Sequence, residues 1–337
     1  MTSGPTSPFP FGTLAVRVPQ NHSATFRAMA TDVRLQVVDG GHRTPAAMAA
    51  AEQVFRDVEA ACTRFDPESP LTLANGSPDA WHEVPAVLLA AIREAYEAYV
   101  DTAGLFDPRV LKALTSLGYD RTLPFESQAV ELVGAAPGDA DRPSAGVGRR
   151  PDWEPSFDVR RSAVRIGLEP IDLGGIGKGL AVRWAADALR EAGRGLLVEA
   201  GGDCAMGGDG PDGDRWLVGV EDPNGGTDPV AVLSVRDLAC TTSSTRVRRW
   251  WSGGREVHHL IDPRTLEPGG HGLRSVTVVQ SDPARAEVWS KALFLQGEDG
   301  IAEAAAQRGL VALWVDDAGT LGHTAVAEPY IVWRAAA

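Results

Sequence analysis

The stretch Asp172-Leu-Gly-Gly-Ile-Gly-Lys-Gly179 lies between a predicted strand and a predicted helix. Glycines at such a junction let the backbone approach a ligand closely, and the N–H groups of a helix N-terminus face an anion. The stretch therefore suits a phosphate or pyrophosphate. From spacing alone, an equally good interpretation is a tight strand-to-helix connection whose glycines adopt positive φ.

Two well-known glycine motifs can be compared with this stretch residue by residue. A P-loop requires glycine where Asp172 stands and Ser or Thr after Lys178, where this chain has Gly179. A dinucleotide-binding fingerprint requires two residues between its second and third glycines, whereas only Lys178 separates Gly177 from Gly179. The stretch therefore matches neither a nucleoside-triphosphate P-loop nor a nicotinamide Rossmann site.

The periodicity of apolar residues predicts helices and strands that alternate irregularly. Helices are predicted at 45–62, 85–102, 180–192 and 284–295, and strands at 24–29, 33–38, 157–159, 163–166, 196–198, 216–220, 230–235, 256–261, 276–279, 311–315 and 330–333. Frequent hairpin-like spacings favour an α+β fold with mixed, largely antiparallel sheets flanked by helices. One domain is predicted over 24–337, with a disordered leader at 1–23 and a surface loop near 133–153.

Charge and composition narrow the classes of function. The formal net charge of −13 would repel nucleic-acid phosphates and anionic lipid surfaces, so we expect no nucleic-acid partner. The chain does not begin with a basic segment followed by an apolar one, and it has no run of about 18 apolar residues. We therefore expect a cytoplasmic protein without a membrane anchor in this chain. The three cysteines, Cys62, Cys204 and Cys240, lack a metal-binding spacing.

Seven blocks of sequence follow the order in which they occur in one enzyme family. The glycine stretch is followed, one predicted helix later, by Glu199-Ala-Gly-Gly-Asp203. The other blocks are Met29-Ala-Thr31, Ser69-Pro-Leu71 with Asn75, Gly104-Leu-Phe-Asp-Pro108, Glu221-Asp-Pro223, Thr242-Ser243 and His258-His-Leu-Ile-Asp-Pro-Arg-Thr265. Over roughly residues 26–300 the chain resembles the FAD:protein FMN transferase (ApbE) family, and the resemblance implies an ApbE-like α+β domain.

The resemblance implies that FAD is bound as a substrate between the Gly104–Pro108 block and the glycine stretch. Contacts with FAD are implied for Met29, Leu105, Phe106, Asp107, Asp172, Lys178 and Ile261. The residue types agree in part, because Phe106 can cover an aromatic ring and Lys178 can neutralise a pyrophosphate. From spacing alone, Gly104–Pro108 can also be a turn that ends the second predicted helix.

The reaction that the resemblance implies is attack by a Thr or Ser hydroxyl of an acceptor protein on the FMN-side phosphorus of FAD, with AMP leaving. His259, or its neighbour His258, is the candidate general base, because imidazole titrates near neutral pH. A purely structural histidine is the alternative. Two other functions would use the same pocket: hydrolysis of FAD to FMN and AMP by water, and binding of FAD without catalysis.

The block that binds Mg²⁺ in this family departs from the family's pattern here. The pattern Ala-Asp-x-x-x-Thr aligns with Ala286-Glu-Val-Trp-Ser-Lys291, so Glu287 replaces Asp and Lys291 replaces Thr. The resemblance implies that Glu287 and the backbone carbonyl of Gly175 are the remaining metal ligands. Mg²⁺ prefers oxygen ligands, and a lysine ammonium has no lone pair to donate to it.

Two interpretations of Lys291 are open in the sequence. Glu287 and Lys291 are four residues apart on a predicted helix, a spacing that allows a surface ion pair. Alternatively, the Lys291 ammonium lies where the metal would lie, neutralises the FAD pyrophosphate and acts as a catalytic residue. Only Lys112, Lys178 and Lys291 are lysines among the 32 basic residues, and this scarcity favours a specific role.

Overall fold

The computed structural model of the protein describes residues 20–123, 125, 130, 131 and 150–335. Residues 1–19 of the predicted leader and residues 133–149 of the predicted surface loop lie outside these ranges. Within them, no helix has both the length and the hydropathy that a membrane span requires.

Helices and strands alternate irregularly, as the sequence predicts. The helices are α1 (Thr44–Cys62), α2 (Pro70–Asn75), α3 (Ala86–Asp101), α4 (Leu111–Ser116), α5 (Gly177–Leu189), α6 (Pro283–Phe294) and α7 (Gly297–Gln307), with short 3₁₀ helices at Pro108–Val110, Val159–Arg161 and Ala325–Tyr330. The strands are β1 (His22–Ala28), β2 (Thr31–Val38), β3 (His82–Glu83), β4 (Val130–Glu131), β5 (Ser156–Asp158), β6 (Ala163–Arg165), β7 (Gly195–Ala200), β8 (Asp203–Gly208), β9 (Trp216–Val220), β10 (Ala231–Val235), β11 (Leu238–Ser244), β12 (Arg249–Ser252), β13 (Arg255–His258), β14 (Ile261–Asp262), β15 (Glu267–Pro268), β16 (Leu273–Gln280), β17 (Val311–Asp316), β18 (Leu321–His323) and β19 (Ile331–Arg334).

An eight-stranded sheet forms the centre of the fold, in the order β1-β2-β7-β8-β11-β16-β17-β18. All neighbouring strands in it run antiparallel. Among the described strands, β4 and β12 pair in parallel in a small separate sheet. The predicted α+β class with mixed, largely antiparallel sheets is therefore confirmed.

Helices cover one face of the central sheet. The inward side chains Val33, Leu35 and Val37 of β2 are fully buried, because alternate residues of a strand point to the same face. They pack with Phe55 of α1 and Ala185 of α5 in one apolar cluster. Farther along the sheet, α6 and α7 cover β16 and β17 in the same way.

The opposite face of the central sheet packs against a small sheet of β9, β10 and β19. Cys204 and Met206 of β8 point to this face, whereas Ala205 between them points to the helices. Trp216 of β9 and Leu233 of β10 fill the space between the two sheets. Both faces of the central sheet are thus buried.

A further apolar cluster anchors the glycine stretch. Leu173 and Ile176 are buried together with Phe106 and with Ala284 and Val288 of α6. The stretch leads directly into the first turn of α5, which begins at residue 177 rather than at the predicted 180. The glycine stretch therefore lies between the first half of the chain and α6.

Several elements differ from the sequence-based expectation. The strand predicted at 256–261 is divided into β13 and β14 by residues 259 and 260. β1 begins at His22, inside the predicted leader. The prediction also lacked α2, α4, α7, β8 and β11. β8 ends in two glycines and α7 contains Gly297 and Gly300, which weaken strand and helix patterns.

Candidate active site

Segments that are far apart in the chain line one cavity. The lining residues include Met29, Leu105, Phe106, Asp107, Asp172, Gly175, Lys178, Arg248, His259, Ile261 and Lys291. The backbone N–H of Asp172 donates a 2.7 Å hydrogen bond to the carbonyl oxygen of Pro108. This bond holds the glycine stretch beside the turn that carries Phe106 and Asp107.

The glycines of the stretch let neighbouring atoms approach the backbone closely, and they do not adopt unusual backbone angles. None of the glycines between Asp172 and Gly179 has a positive φ, so the interpretation that required positive φ is wrong. A Cβ at Gly175 would lie 2.9 Å from Cε2 of Phe106, and a Cβ at Gly179 would lie 2.7 Å from the Pro283 carbonyl oxygen. Any larger residue at these two positions would collide with its neighbours.

The Gly104–Pro108 block is both a helix-ending turn and a wall of the cavity. Gly104 has φ +82° shortly after α3, a conformation that glycine adopts without strain. Its N–H donates a 2.8 Å hydrogen bond to the carbonyl oxygen of Tyr99. The Oγ1 of Thr102 accepts a 3.0 Å hydrogen bond from the N–H of Phe106. The turn thus aims the Phe106 ring at the glycine stretch.

The hairpin between β1 and β2 presents Met29 to the cavity. Met29 and Ala30 have φ of 53° and 58°, the left-handed values that a two-residue type I′ turn requires. The Met29 N–H donates a 2.7 Å hydrogen bond to Oε1 of Glu59. The Met29 side chain extends to the glycine stretch, since its Cε would lie 3.5 Å from a Cβ at Gly177.

Asp107 is held by Arg109 at the start of a 3₁₀ helix. Its Oδ1 accepts the backbone N–H of Arg109 at 2.9 Å, and its Oδ2 lies 2.7 Å from Nη2 of the same residue. Both side chains are buried. Burial alone would lower the pKa of Arg109, but its hydrogen bonds and attraction to Asp107 raise it. The carboxylate is therefore fixed in one orientation at the cavity wall.

Asp172 is held by Arg64, a residue that the sequence patterns did not single out. Arg64 Nε lies 3.2 Å from Asp172 Oδ1, and Nη1 donates a 2.7 Å hydrogen bond to the Tyr119 carbonyl oxygen. The guanidinium lies 4.2 Å and 4.6 Å from the ring centroids of Phe65 and Tyr119. Its side chain is only 5% exposed, so stacking keeps a cation inside the protein.

Glu287 of α6 lies at the centre of a buried group of charges. Its Oε1 lies 3.1 Å from Nζ of Lys291 and 3.4 Å from Nζ of Lys178. Its Oε2 accepts a 2.7 Å hydrogen bond from the N–H of Gly179. Lys178 also pairs with Asp203, whose side chain is 1% exposed. Two lysines and two carboxylates thus form one connected network.

The network sets the protonation of its members. Burial would raise the pKa of Glu287, but the two ammonium groups and the Gly179 N–H lower it to about 2. Burial lowers the pKa of Lys178 to about 8, against the attraction of Glu287. Burial likewise lowers the pKa of Lys291, again opposed by Glu287. Glu287 is therefore a carboxylate at neutral pH.

These residues do not fit a divalent cation. Mg²⁺ requires oxygen ligands at about 2.0–2.1 Å in near-octahedral geometry, but Oε1 of Glu287 already faces two ammonium groups. The stem of Lys291 fills the space beside Gly175, because a Cβ there would lie 3.5 Å from Lys291 Cδ. In the described ranges, no group of three or more His, Cys, Asp or Glu side chains could hold a metal ion.

The two neighbouring histidines have different surroundings. His259 lines the cavity, and because its Nδ1 lies 3.3 Å from the Arg248 carbonyl oxygen, Nδ1 carries the hydrogen and Nε2 the lone pair. Burial, followed by the charge of Arg248, holds the pKa of His259 well below 6.5. His258 packs edge-on against Phe294 and does not line the cavity, and burial lowers its pKa to about 4. Of the two histidines, His259 is placed to act on a bound ligand.

Comparison with known proteins identifies the family to which this fold and cavity belong. The sequence profile of the ApbE family matches residues 29–314. The chain belongs to the ApbE family. An ApbE protein from Thermotoga maritima superimposes with a TM-score of 0.75 at 25% identity, covering 92% of this chain and 99% of that one. A flavinyl transferase ApbE from Pseudomonas stutzeri has the same fold, with a TM-score of 0.75 at 19% identity over 94% of this chain and 98% of its own.

Curated relatives carry the name FAD:protein FMN transferase. The protein from Rhodobacter capsulatus is 31% identical over 252 residues, which cover 72% of this chain and 45% of that relative. The protein from Haemophilus influenzae is 30% identical over 143 residues, which cover 42% of this chain and 41% of the relative. The ApbE-family chain therefore aligns with less than half the length of these two proteins.

The ApbE fold brings almost all of the predicted site residues together. Ten of the predicted residues line the cavity: Met29, Leu105, Phe106, Asp107, Asp172, Gly175, Lys178, His259, Ile261 and Lys291. Glu287 does not line it but contacts Lys178 and Lys291. Arg64, Arg248 and Asp203 also belong to the site but were not assigned a role from sequence. Asp203 is the last residue of one of the ApbE blocks, so the sequence could have indicated it. Neither arginine lies in a block.

Proposed function

We propose that this ApbE-family chain transfers the FMN half of FAD to a Thr or Ser hydroxyl of an acceptor protein. The acceptor oxygen forms a bond to the FMN-side phosphorus, and the bond between that phosphorus and the bridging oxygen breaks. AMP leaves with the bridging oxygen, and the hydroxyl proton passes to a base. Family membership and the names of the relatives support this reaction.

The observation that carries the proposal is that four of the seven ApbE sequence blocks line one cavity, namely those that contain Met29, Phe106, Lys178 and His259. Met29, Leu105, Phe106 and Ile261 supply apolar and aromatic surface, which suits a flavin or adenine ring. Lys178 supplies positive charge, which suits a pyrophosphate. Ring-binding and phosphate-binding groups on adjoining walls are what a dinucleotide substrate requires.

Asp107 and Asp172 serve in this proposal as fixed acceptors for hydroxyl and amino groups of FAD. Each carboxylate is oriented by an arginine, Arg109 or Arg64, at 2.7 Å and 3.2 Å. Carboxylates held in this way lose little further freedom when a ligand binds. Their role is to orient the substrate, and orientation supplies a large part of the rate of a phosphoryl transfer.

His259 is the proposed general base. Its Nδ1 hydrogen is directed at the Arg248 carbonyl oxygen, which leaves the Nε2 lone pair to accept the acceptor hydroxyl proton. The lowered pKa of His259, caused first by burial and then by Arg248, keeps the imidazole neutral at physiological pH. A neutral imidazole is the form that a general base requires.

One assay separates transfer from the two alternative functions. The protein is incubated with FAD and a small FMN-acceptor domain, and AMP and the acceptor mass are followed. We expect AMP together with an acceptor that has gained one FMN less water. AMP with an unchanged acceptor would indicate FAD hydrolysis, and bound but intact FAD would indicate a binding protein; either result rejects the transferase proposal.

The chain offers a matched pair of variants for the same assay. His259→Gln removes the proposed base and should lower the transfer rate by about 10²- to 10⁴-fold. His258→Gln alters the adjacent residue, which does not line the cavity, and should retain most of the rate. Equal losses in the two variants would contradict the role of His259.

We also propose that the protein is cytoplasmic and that residues 24–337 form a single domain. We do not propose the Mg²⁺ site that the sequence led us to expect, because the groups around Glu287 are hydrogen-bond donors rather than metal ligands. No step of the proposed reaction passes through the metal.

A further inference from the structure

The environment of Lys291 contradicts one of the two interpretations of its sequence position, the ion pair on a helix surface. The Lys291 side chain is 16% exposed and that of Glu287 is 1% exposed. An ion pair on a helix surface would leave both side chains largely in water. Instead, Lys291 lines the cavity and Glu287 is buried beside it, so the surface ion pair is wrong as a description of these residues.

The Lys291 side chain lies between Glu287 and Gly175, the two residues that the family resemblance implies as metal ligands. Its ammonium lies 3.1 Å from Oε1 of Glu287, and its Cδ and Cε would lie 3.5 Å and 3.6 Å from a Cβ at Gly175. The side chain therefore extends from α6 across to the glycine stretch. A cation bound between Gly175 and Glu287 would have to displace it.

Within the described residues, both oxygens of the Glu287 carboxylate face hydrogen-bond donors. Lys178 and Lys291 share Oε1, and the N–H of Gly179 occupies Oε2. The Lys291 ammonium places one positive charge beside Glu287 in addition to that of Lys178. Unlike an ion, it is attached to the chain and needs no binding equilibrium of its own.

The Lys291 ammonium keeps donor capacity for a ligand. It has three N–H donors, and in the described residues its acceptors are the side-chain Oε1 of Glu287 at 3.1 Å and the backbone oxygen of the same residue at 3.5 Å. The second contact is long for a hydrogen bond. At least one donor is thus available to an anion in the cavity that Lys291 lines.

Resting on the proposed function, we propose that Lys291 replaces the divalent cation in this chain and binds the FAD pyrophosphate through its ammonium, beside Lys178. Glu287 acts as a positioning residue that holds both ammonium groups at the cavity. A phosphate oxygen accepts charge-assisted hydrogen bonds from lysine much as it does in other phosphate sites. FAD binding by this chain is therefore independent of Mg²⁺.

The test measures FAD affinity of the purified protein by flavin fluorescence, in EDTA and in excess MgCl₂, with metal content determined by mass spectrometry. We expect equal affinities in the two buffers and no stoichiometric metal in the protein. FAD binding that is at least about tenfold tighter in MgCl₂ would overturn the proposal. So would a complete lack of FAD binding.

Variants of Lys291 test the ammonium itself. Lys291→Thr and Lys291→Met should each weaken FAD binding in EDTA by about tenfold or more, the effect of losing a hydrogen bond to a charged group. MgCl₂ should restore binding to Lys291→Thr, because threonine is the residue of the family pattern, but not to Lys291→Met. Lys112→Thr, which changes the exposed third lysine, is the matched control and should bind FAD like the native protein. Native affinity of both Lys291 variants in EDTA would reject the proposal.

The outcome is distinguishable from that of the proposed function. EDTA-insensitive FAD binding without transfer to an acceptor would leave the role of Lys291 intact and reject the transferase. Transfer that requires Mg²⁺ would support the transferase and reject the role of Lys291. Circular dichroism of each variant checks that the fold is retained, and the comparison of buffers on the native protein needs no variant at all.

Discussion

The backbone N–H of Gly179 donates a 2.7 Å hydrogen bond to Oε2 of Glu287 and joins the first turn of α5 to α6. The two helices approach so closely here that a Cβ at Gly179 would lie 2.7 Å from both the Ala284 Cα and the Pro283 carbonyl oxygen. Both obstacles are backbone atoms, which cannot move aside as a side chain can. This contact fixes the separation between the glycine stretch and the charges on α6.

Gly179→Ala is therefore expected to destabilise the protein, although alanine normally favours a helix over glycine. The added methyl group would separate α5 from α6 and lower the free energy of unfolding by about 1–3 kcal/mol. Urea unfolding followed by circular dichroism measures this difference. Gly41→Ala is the control, because nothing lies within 4 Å of its Cβ and its change should stay within about 0.5 kcal/mol. Equal stability of both variants would refute the close contact.

Glu287→Gln is expected to be strongly destabilising. It leaves Lys178 and Lys291 without the carboxylate that they share, and breaking a buried ion pair on one side costs about 3–5 kcal/mol. Chemical denaturation at neutral pH measures the loss. Glu256→Gln is a matched control, because Glu256 forms an exposed pair with Arg249 at 3.3 Å and should cost no more than about 1 kcal/mol. A loss at Glu287 as small as that of the control would show that the network contributes little.

Gly175→Ala tests whether the glycine stretch approaches the ligand. The new Cβ would lie 2.9 Å from Phe106 and 3.5 Å from Lys291, so it would push both side chains from their places in the cavity. FAD binding should weaken by roughly tenfold or more, because overpacking usually costs about 1–3 kcal/mol and about 1.4 kcal/mol corresponds to tenfold in affinity. A fluorescence titration with FAD gives the affinity. Gly213→Ala, which has free space around its Cβ, should bind FAD normally.

The lowered pKa of His259 predicts the pH dependence of transfer. A general base must be unprotonated, so kcat/KM should fall only on the acid side of the ordinary histidine pKa of 6.5 and stay level through neutral pH. Arg248→Met removes a positive charge that lowers the pKa of His259 and should therefore move the acid limb to higher pH. The pH profile of kcat/KM gives the position of the limb in each variant.

The control for this shift is the neighbouring exposed residue. Arg249 pairs with Glu256 on the surface, so Arg249→Met should leave the acid limb where it is in the native protein. NMR titration of the His259 imidazole would measure the same pKa without turnover. A limb that moves to lower pH in Arg248→Met would contradict the assigned electrostatics.

Local patterns predicted most of the elements because those elements carry a clear periodicity. The helices Thr44–Cys62, Ala86–Asp101 and Pro283–Phe294 lie within a residue or two of their predicted ranges. β8 and α7 escaped prediction, since glycines interrupt their patterns and tertiary contacts stabilise them. The start of α5 at Gly177 was also misjudged, because a helix that begins with Gly-Lys-Gly relies on packing against α6 rather than on propensity.

The sequence by itself determined the ApbE blocks, their order and the substitution of lysine for threonine at position 291, since these are properties of residue identity and spacing. Only the tertiary structure decided that Lys178 and Lys291 share one carboxylate of Glu287, that Arg64 holds Asp172, and that His259 rather than His258 lines the cavity. The spacing of Glu287 and Lys291 allowed their ion pair, but the contacts of Lys178 with Glu287, of Arg64 with Asp172 and of Gly179 with Glu287 each join residues more than 100 positions apart. Their distances, burial and charge depend on how the sheet and helices pack, and no local pattern in the chain encodes them.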